Sequence, residues 1–596
     1  MAGICGRIPV GSGHNGGGSG AQAPERAARA VEAVGAMAAA LVHRGTIGSI
    51  DAPPPPGRVR IASDSAFNSP GEIEAKWRAA GGIATTFAAS LEGSFSVAVL
   101  DGDRRLVLAR DRLGEKPLSW SLDATGVAFA SEIKAIRAAG LAGRSGIRPE
   151  ALDGYLAFTY VPAPWSIHPE IHKVPAGHIV EIDLAAEGVP SARAERYWSA
   201  PARGGLIAGP SETIGRLEEA LSRRLPSGAP PAAFLSGGLD SSLVVALLRR
   251  LGLDGIRTIS IGFEEEDLDE SAHARRVAGI LGSRHEEILL REIDPATVLG
   301  AIAHLDEPMA DAAALPTWVL AEAASRSATV VMTGDGADAL LAGDHWYRRL
   351  RRLDRLERLP VAGRRAVAAL SSLAGARSGE RMRHLAGLAG MGRCARYLRI
   401  REKWSAPERA RIYADGFREL VDQRLAEATY LEAPVRWERG GSVDAAMRLD
   451  AIHGLPEDLL MKVDKMGMAH GVECRSPFLD REWVEWVSRL RVDLLLKGDR
   501  SKYLLKRAAE DLLPRDLIYR RKQGFRVPIG RWLKGPLREL TAEAFSSALV
   551  KRQGIFDPKA LAELEATFMR ATPSAALEGK TWQIVAFQTW WRQCFQ

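Results

Sequence analysis

From position 232 onward, short apolar runs of β-forming residues alternate with amphipathic stretches of helical period, and this alternation limits the fold more than any other feature of the chain. The strand-like runs are 232–235, 258–263, 286–290 and 329–332, and the helical stretches are 241–251, 270–281 and 317–325. Strands separated by helices at this spacing cannot pair as hairpins. They build right-handed βαβ units and a parallel sheet, whose ligands sit outside the carboxyl ends of the strands. The loops that follow Leu235 and Met332 are therefore where chemistry is expected.

The first loop reads Phe234-Leu235-Ser236-Gly237-Gly238-Leu239-Asp240-Ser241-Ser242. Two glycines let backbone N–H groups close on an anion, the serines add hydroxyl donors, and the helix that follows contributes the partial positive charge of its N-terminus. Asp240 can hold a metal that bridges phosphate oxygens. Two glycines alone would be a capped turn; the whole string after a strand reads as a phosphate cradle. No Gly-Lys-Ser/Thr follows, so this is not a Walker A loop, and γ-phosphoryl transfer is the less natural chemistry. The second loop is Thr333-Gly334-Asp335-Gly336-Ala337-Asp338. Alone it is an ordinary Gly-Asp-Gly turn, but on a neighbouring strand of the same sheet it brings Asp335 and Asp338 towards the first loop and gives Asp240 a partner across one Mg²⁺.

Upstream the pattern is different. The Gly/Ser run 11–20 and the Pro run 53–56 are expected as surface loops, 24–41 as an Ala-rich helix, and 95–100 with 105–109 as a hairpin about Asp101-Gly102. This is α plus antiparallel β. Near Tyr197-Trp198 the composition shifts to a Pro/Gly-rich connector, 201–210, before an amphipathic helix at 211–224. The 596 residues are thus expected to form two domains, 1–195 and 211–596, joined by a linker at 196–210, with the region beyond Asp344 mostly helical and an aromatic-rich helix at 582–591. The net charge of +7 is scattered in mixed clusters and implies no nucleic-acid partner. Cys5, Cys394, Cys474 and Cys594 are widely separated, which argues against disulfides or a zinc site and for a reducing compartment. With no signal-like start and no apolar window of membrane length, no membrane association is expected and the cytoplasm is the expected location.

The two loops, with Ser260-Ile261-Gly262-Phe263, Asp269-Glu270-Ser271, the string from Leu305 to Asp311, Leu315-Pro316-Thr317, the string from Met466 to Glu473, Pro477-Phe478-Leu479-Asp480 and Arg521-Lys522-Gln523-Gly524-Phe525, resemble the ATP-pyrophosphatase synthetase domain of glutamine-hydrolysing (class B) asparagine synthetases. The resemblance implies that a substrate carboxylate attacks the α-phosphate of ATP, that pyrophosphate leaves, and that an amine displaces AMP to form an amide. It further implies that Ser236, Gly237, Gly238, Ser241 and Ser242 hold the pyrophosphate, that Asp240 and Asp338 are Mg²⁺ ligands, and that Phe234, Ile261, Thr333 and Gly334 hold the adenosine part. Lys502 resembles the lysine that neutralises the α-phosphate and leaving group, with Lys506 a rival, and Asp335 corresponds to the catalytic acidic position that takes a proton from the amine. One departure is Ala339, where the family has a further acid.

The first part resembles the family's N-terminal-nucleophile glutaminase, an αββα sandwich, through Leu91-Glu92-Gly93-Ser94-Phe95, the string from Ala109 to Gly114, Lys116-Pro117-Leu118, Tyr160-Val161-Pro162-Ala163-Pro164 and Pro175-Ala176-Gly177-His178. The resemblance is to the scaffold, and the chemistry is expected to be missing. Such a glutaminase begins Met-Cys-Gly and uses the freed cysteine as nucleophile, whereas this chain begins Met1-Ala2-Gly3. Cys5 is expected in the core; Thr46-Ile47 replace Pro-Asp after His43-Arg44-Gly45, and the glutamine-binding loops have no room between Ile61 and Gly93. Alanine alone would fit an engineered trap; several coordinated losses point to natural decay.

Three readings follow. One is a ligase that amidates aspartate or an aspartate-like carboxylate, on a small molecule or a peptide, with free ammonia or ammonia from a partner protein. The second is a synthetase-derived cyclase similar to β-lactam synthetases or lasso-peptide cyclases, acting on a substrate's own amine, in the lasso case within a precursor peptide. The third is a non-catalytic relic, against which stands the retention of Asp240, Asp338 and Lys502.

Overall fold

The computed structural model describes residues 2–9, 22–52, 58–123, 126–140, 146–184, 191–357, 360, 388, 390–421, 441–522, 524–570 and 573–595. The Gly/Ser and Pro runs expected as loops lie outside them. Among the described residues up to Arg196, ten strands form two five-stranded sheets. One contains β1 (Ala2–Pro9), β2 (Thr46–Ile50), β6 (Ser119–Asp123), β7 (Gly126–Ala130) and β8 (Ile171–Lys173), in the order β2-β1-β7-β6-β8. The other contains β3 (Val59–Ser65), β4 (Phe95–Asp101), β5 (Arg105–Arg110), β9 (His178–Asp183) and β10 (Ser191–Arg196), in the order β10-β9-β5-β4-β3. The pairs are antiparallel apart from β1 with β2.

The run that forms β4 is apolar on both faces because both faces are covered. Ala98 and Leu100 pack against Ile4, Ile8 and Phe129 of the first sheet, while Phe95, Val97 and Val99 pack against Ile73, Trp77 and Phe87 from helices α1 (Pro70–Ala79) and α2 (Ala84–Ser90). Helix Gln22–Ala40 covers the first sheet, packing Val34 and Met37 against Cys5 and Ala130. The result is an αββα sandwich, as the resemblance implies. The β4–β5 hairpin forms where expected, with Gly102 at φ +61° in its turn.

The second part is built on a parallel five-stranded sheet: β11 (Ala232–Phe234), β12 (Arg257–Gly262), β13 (Arg284–Leu289), β14 (Val330–Met332) and β15 (Glu473–Arg475), in the order β13-β12-β11-β14-β15. Alternate residues face opposite layers: Ala233 and Met332 meet Leu243, Leu247 and Val277, whereas Ala232, Ile259 and Val331 meet Ala301, Leu320 and Trp590. Strand β15 was not expected. It joins the edge of the sheet more than 140 residues after β14, and its Glu473 accepts from Arg475 at 2.9 Å and lies 3.9 Å from Lys116 of the first part. No described helix is long and apolar enough to cross a membrane.

The two parts share buried ground. Every residue from Ala151 to Phe158 is buried, because helix Pro149–Phe158 sits within the core of the second part. Ionic contacts line the rest of the junction: Arg110 and Lys173 both grip Glu457 at 2.8 Å, Lys173 reaches Glu307 at 2.6 Å, and Arg44 reaches Asp464 at 2.8 Å. Burying charges in this way is tolerable only while each keeps its partners. Substituting Glu457→Ala strands Arg110 and Lys173, and we expect a loss of about 3–5 kcal/mol in urea denaturation of the whole chain. A loss under ~1 kcal/mol would show that water reaches the pair.

Candidate functional site

Two glycines shape the loops at the carboxyl ends of β11 and β14, and one of them, Gly334, lets the loops touch. Gly237 takes φ +69°, and a Cβ there would stand 2.5 Å from the backbone N of Ala274, so the phosphate-type loop is pressed onto helix Ser271–Leu281. At Gly334 a Cβ would stand 2.9 Å from the Asp240 Cβ and 3.0 Å from the Ser241 N. Within the first loop the Ser236 N–H donates to Ser241 Oγ at 3.2 Å, and the two hydroxyls lie 3.1 Å apart. Ser242 is fully buried.

Across this contact Asp240 and Asp338 are joined by one ammonium. The Lys502 Nζ lies 2.5 Å from Asp240 Oδ2 and 2.5 Å from Asp338 Oδ1. Lys502 is buried and holds a left-handed backbone, φ +52°, between the β-ribbon 496–501 and helix Tyr503–Ala508. A lysine in that conformation costs about 1 kcal/mol or more, and such strain persists where the surroundings fix it. Burial works against the charge, but Asp240 and Asp338 outweigh it and hold the Lys502 ammonium well into its charged range. Burial likewise pushes the Asp338 carboxyl up, and Lys502 with Lys522 overcome it to hold its pKa at about 2. The rival Lys506 forms no ion pair among the described residues, and burial together with the Lys502 charge lowers its pKa. Of the expected lysine and its rival, Lys502 alone stands between the two carboxylates.

The remaining expected residues surround this centre. Phe234 and Ile261 share one apolar cluster on the β12 side. Thr333 is anchored by its N–H to the Arg475 carbonyl at 2.8 Å. Asp335 accepts on its backbone oxygen from the buried Ser476 hydroxyl at 2.7 Å. Its carboxyl is raised by burial, with a hydrogen bond from Thr333 opposing and the charge of Asp338 adding. Ser476 and β15 thus fix the second loop, a role that no local signal around Ser476 announces.

A second set of charges, not anticipated as a group, lies beside Asp335. Lys462 Nζ is 2.5 Å from Asp311 Oδ2 and feels Asp458 and Asp335 as well. Asp458, pushed up to about 7 by burial and by the neighbouring Asp311, has one oxygen that is buried and unpartnered. Lys403, its pKa lowered by burial and by Arg401, belongs to the same neighbourhood. As types on helical stretches these residues look like solvated charges, so only the fold exposes them.

Two touching loops, a charged lysine between two carboxylates and an aspartate raised by burial thus meet at the carboxyl ends of β11 and β14. The asparagine synthase family model matches residues 213–592, and a glutamine amidotransferase domain model matches residues 59–198. The chain belongs to the asparagine synthase family. Its relatives include the glutamine-hydrolysing asparagine synthetase 1 of Bacillus subtilis, 27% identical over 84% of this chain and 78% of the relative. Another is a putative glutamine-hydrolysing asparagine synthetase of Mycobacterium tuberculosis, 31% identical over 74% of this chain and 68% of the relative. A third is the amidase chyE of Penicillium rubens, 26% identical over 82% and 77%. This asparagine synthase-type chain is a carbon–nitrogen ligase with ATP as substrate, acting on a carboxylate and on ammonia or an amine. Among the described residues no group of three His, Cys, Asp or Glu gathers to hold a metal by itself.

Two outcomes are expected. Gly334→Ala drives its new methyl into Asp240, so ATP affinity should fall at least tenfold in a binding titration while the fold survives; unchanged affinity would mean the loops do not touch. Asp458 has its folded pKa raised from 3.8 to about 7, so it favours the fold when protonated, and that contribution fades as pH rises from about 4 to about 7. Urea denaturation should show Asp458→Asn gaining on the wild-type chain across that window, by up to ~4 kcal/mol. An equal difference at pH 4.5 and pH 8 would refute the assignment.

Proposed function

We propose that the chain adenylates the carboxylate of aspartate or of an aspartate-like side chain, releases pyrophosphate, and joins the acyl group to an amine without hydrolysing glutamine itself. The observation that carries this reading is the Lys502 ammonium held 2.5 Å from both Asp240 and Asp338 where the two loops meet. In it, Ser236, Gly237, Gly238, Ser241 and Ser242 bind the pyrophosphate part of ATP, and Phe234, Ile261, Thr333 and Gly334 bind the adenosine part. Lys502 shifts from the carboxylates to the α-phosphate, where a fixed ammonium stabilises the charge that develops as pyrophosphate leaves. Asp240 and Asp338 fit Mg²⁺, since Asp240 Oδ1 is buried without a hydrogen-bond partner; the ion would supply positive charge to the phosphate oxygens. Asp335, beside this centre, accepts a proton from the amine as it attacks the acyl carbon.

Two features of the first part support an inactive glutaminase. Strand β1 carries one thiol, Cys5, which is fully buried against Val34 and pushed up to about 12 by that burial, so little of it is thiolate. Arg44 has its two terminal nitrogens engaged by Glu132 at 2.9 Å, Asp464 at 2.8 Å and Asp64 at 3.0 Å, which leaves neither for a ligand carboxylate. Nitrogen then arrives as ammonia, free or from a partner protein, or as an amine already on the substrate, which would make the enzyme a cyclase acting on a small molecule or a precursor peptide. Four free thiols suit a cytoplasmic setting.

With ATP, Mg²⁺ and acceptor acid, we expect AMP and pyrophosphate in equal amounts, and loss of both in Asp240→Asn and in Asp338→Asn; stoichiometric ADP and orthophosphate would refute adenylation. Glutamine should give only background glutamate. The deciding assay omits ammonium: a product one water lighter than the substrate selects the cyclase, and strict dependence on ammonium selects the ligase.

A further inference from the structure

Two elements run outward from the site and carry positive charge between them. Helix His345–Glu357 starts directly after Asp344, which pairs with Lys522 at 2.8 Å, and the β-ribbon 496–501 ends where Lys502 begins. On the helix Arg348, Arg352 and Arg355 stand at positions i, i+4 and i+7, which puts them on one face. The acids of the same helix are engaged on the opposite face: Asp354 accepts from the Ser442 N–H at 3.0 Å, and Asp354 and Glu357 lie 3.5 and 3.3 Å from Arg396. The arginine face meets the tip of the ribbon where Arg352 donates to Asp499 at 2.8 Å, and that pair stays in water, its side chains 61% and 53% exposed. Hydrogen bonding from Arg352, then the charges of Arg352, Arg355 and Arg348, hold the Asp499 carboxyl below its ordinary value against a slight effect of burial, so three guanidinium groups share one carboxylate. Arg348, Arg355, Arg500 and Lys506 form no ion pair among the described residues. Lys506, on the helix that Lys502 opens, feels the charges of Lys502 and Asp240 as well as those of Arg348 and Arg500, so the basic face is continuous with the site.

We propose that this face is a docking surface for an acidic peptide segment, the flank of an acceptor whose side-chain carboxylate is presented at Lys502; the acceptor role rests on the adenylation reading above. Charge complementarity carries the proposal. Arg348, Arg352, Arg355, Arg500 and Lys506 gather around Asp499, and a row of cations that contributes little pair by pair can steer and orient a partner carrying several negative charges. Spacing agrees with an extended chain. At 1.5 Å per residue the three arginines span about 10 Å of helix, and acids at every second position of an extended peptide repeat every ~7 Å, so two of them fall within the row. A single-stranded nucleic acid would seek open aromatic faces, but the rings on these two elements are already covered: Arg401 stands 4.2 Å from the Trp346 ring and Lys497 4.7 Å from the Tyr503 ring. A carboxylate-rich peptide needs no stacking face, and it carries the group that the site would activate.

The test uses the full chain and a fluorescent deca-aspartate peptide, titrated by anisotropy at low salt. The wild-type protein is compared with Arg348→Gln/Arg352→Gln/Arg355→Gln, with the same three positions changed to lysine, and with a charge-matched control, Arg249→Gln/Arg250→Gln/Arg284→Gln. The control residues are exposed and lie at the end of helix Leu239–Arg250 and the start of β13, at the edge of the sheet opposite the two loops. The glutamine variant should lose at least tenfold in peptide affinity and the lysine variant should recover most of it, while the control, and the affinity of every variant for Mg²⁺ with ATP, stay within twofold. Wild-type binding of the peptide should fade by about 0.3 M salt. No wild-type binding, unchanged binding in the glutamine variant, or equal losses in that variant and the control overturns the docking surface. A single-stranded DNA decamer that binds at least tenfold tighter than the peptide, and responds to the same three arginines, assigns the face to nucleic acid and overturns it too. ATP–pyrophosphate exchange then tests the acceptor role: the peptide should support exchange, with a KM raised at least tenfold in the glutamine variant. Exchange with free aspartate alone overturns the acceptor role, and exchange with neither overturns the adenylation reading; the docking surface stands on its binding result in both cases.

Discussion

Parallel pairing of β11 with β14, Ala232 opposite Val331 and Ala233 opposite Met332, is the constraint from which the site follows. Parallel neighbours end at the same edge of the sheet, so the loops after them emerge side by side, and Gly334 removes the side chain that would hold them apart. The contact brings Asp240 and Asp338 together, an arrangement that would force one carboxyl to stay protonated if nothing stood between them. Lys502 stands between them. A methyl at Gly343 would fall 2.2 Å from the Lys502 Cε, so even the backbone beneath the lysine is shaped to admit it. Register, two glycines and a strained lysine form a single device.

The same logic of buried charge explains why the first part is inseparable from the second. Arg110, Lys116, Lys173 and Arg44 all reach carboxylates of the second part, and those carboxylates are themselves buried. Removing any one partner leaves an uncompensated ion in a dry interior, which costs far more than the pair contributes. On the proposed reading the first part has no nucleophile, yet it still supplies the counter-charges for Glu457 and Asp464 and the buried helix Pro149–Phe158. A domain in that position can lose its chemistry and keep its place.

Much of this architecture was legible in the sequence where short-range pattern carries the information. The runs at 232–235 and 258–263 read as strands because they are apolar and bounded, and the two loops read as a site because their residues are contiguous. Strand β15 was hidden: three residues, Glu473-Cys474-Arg475, two of them charged, become strand only because the sheet edge and the Lys116 and Arg475 contacts receive them. Lys506 stood as a rival to Lys502 because both lie near the start of one helix, and a positive φ at Lys502, invisible in composition, accompanies its place in the carboxylate pair. Asp458, Lys462 and Lys403 were missed for the converse reason. Their residue types suit an exposed helix face, and neither burial nor the proximity of residues 311 and 335 can be read from 458–462 alone.

The distribution of charge also gives the site a direction. On the side facing β11, three carboxylates (Asp240, Asp338 and Asp344) are answered by two ammonium groups, Lys502 and Lys522. Each ammonium is held by more than one carboxylate, so its charge is fixed in place within the site. On the side of Asp335 the balance is reversed in function: Lys462 is tied to Asp311 at 2.5 Å, and Asp335 and Asp458 remain as carboxyls raised by burial. A carboxyl raised by burial holds a proton more tightly than an ordinary one. Charge thus divides the site: ammonium groups stand between carboxylates where the loops after β11 and β14 meet, and carboxyls raised by burial lie on the Asp335 side.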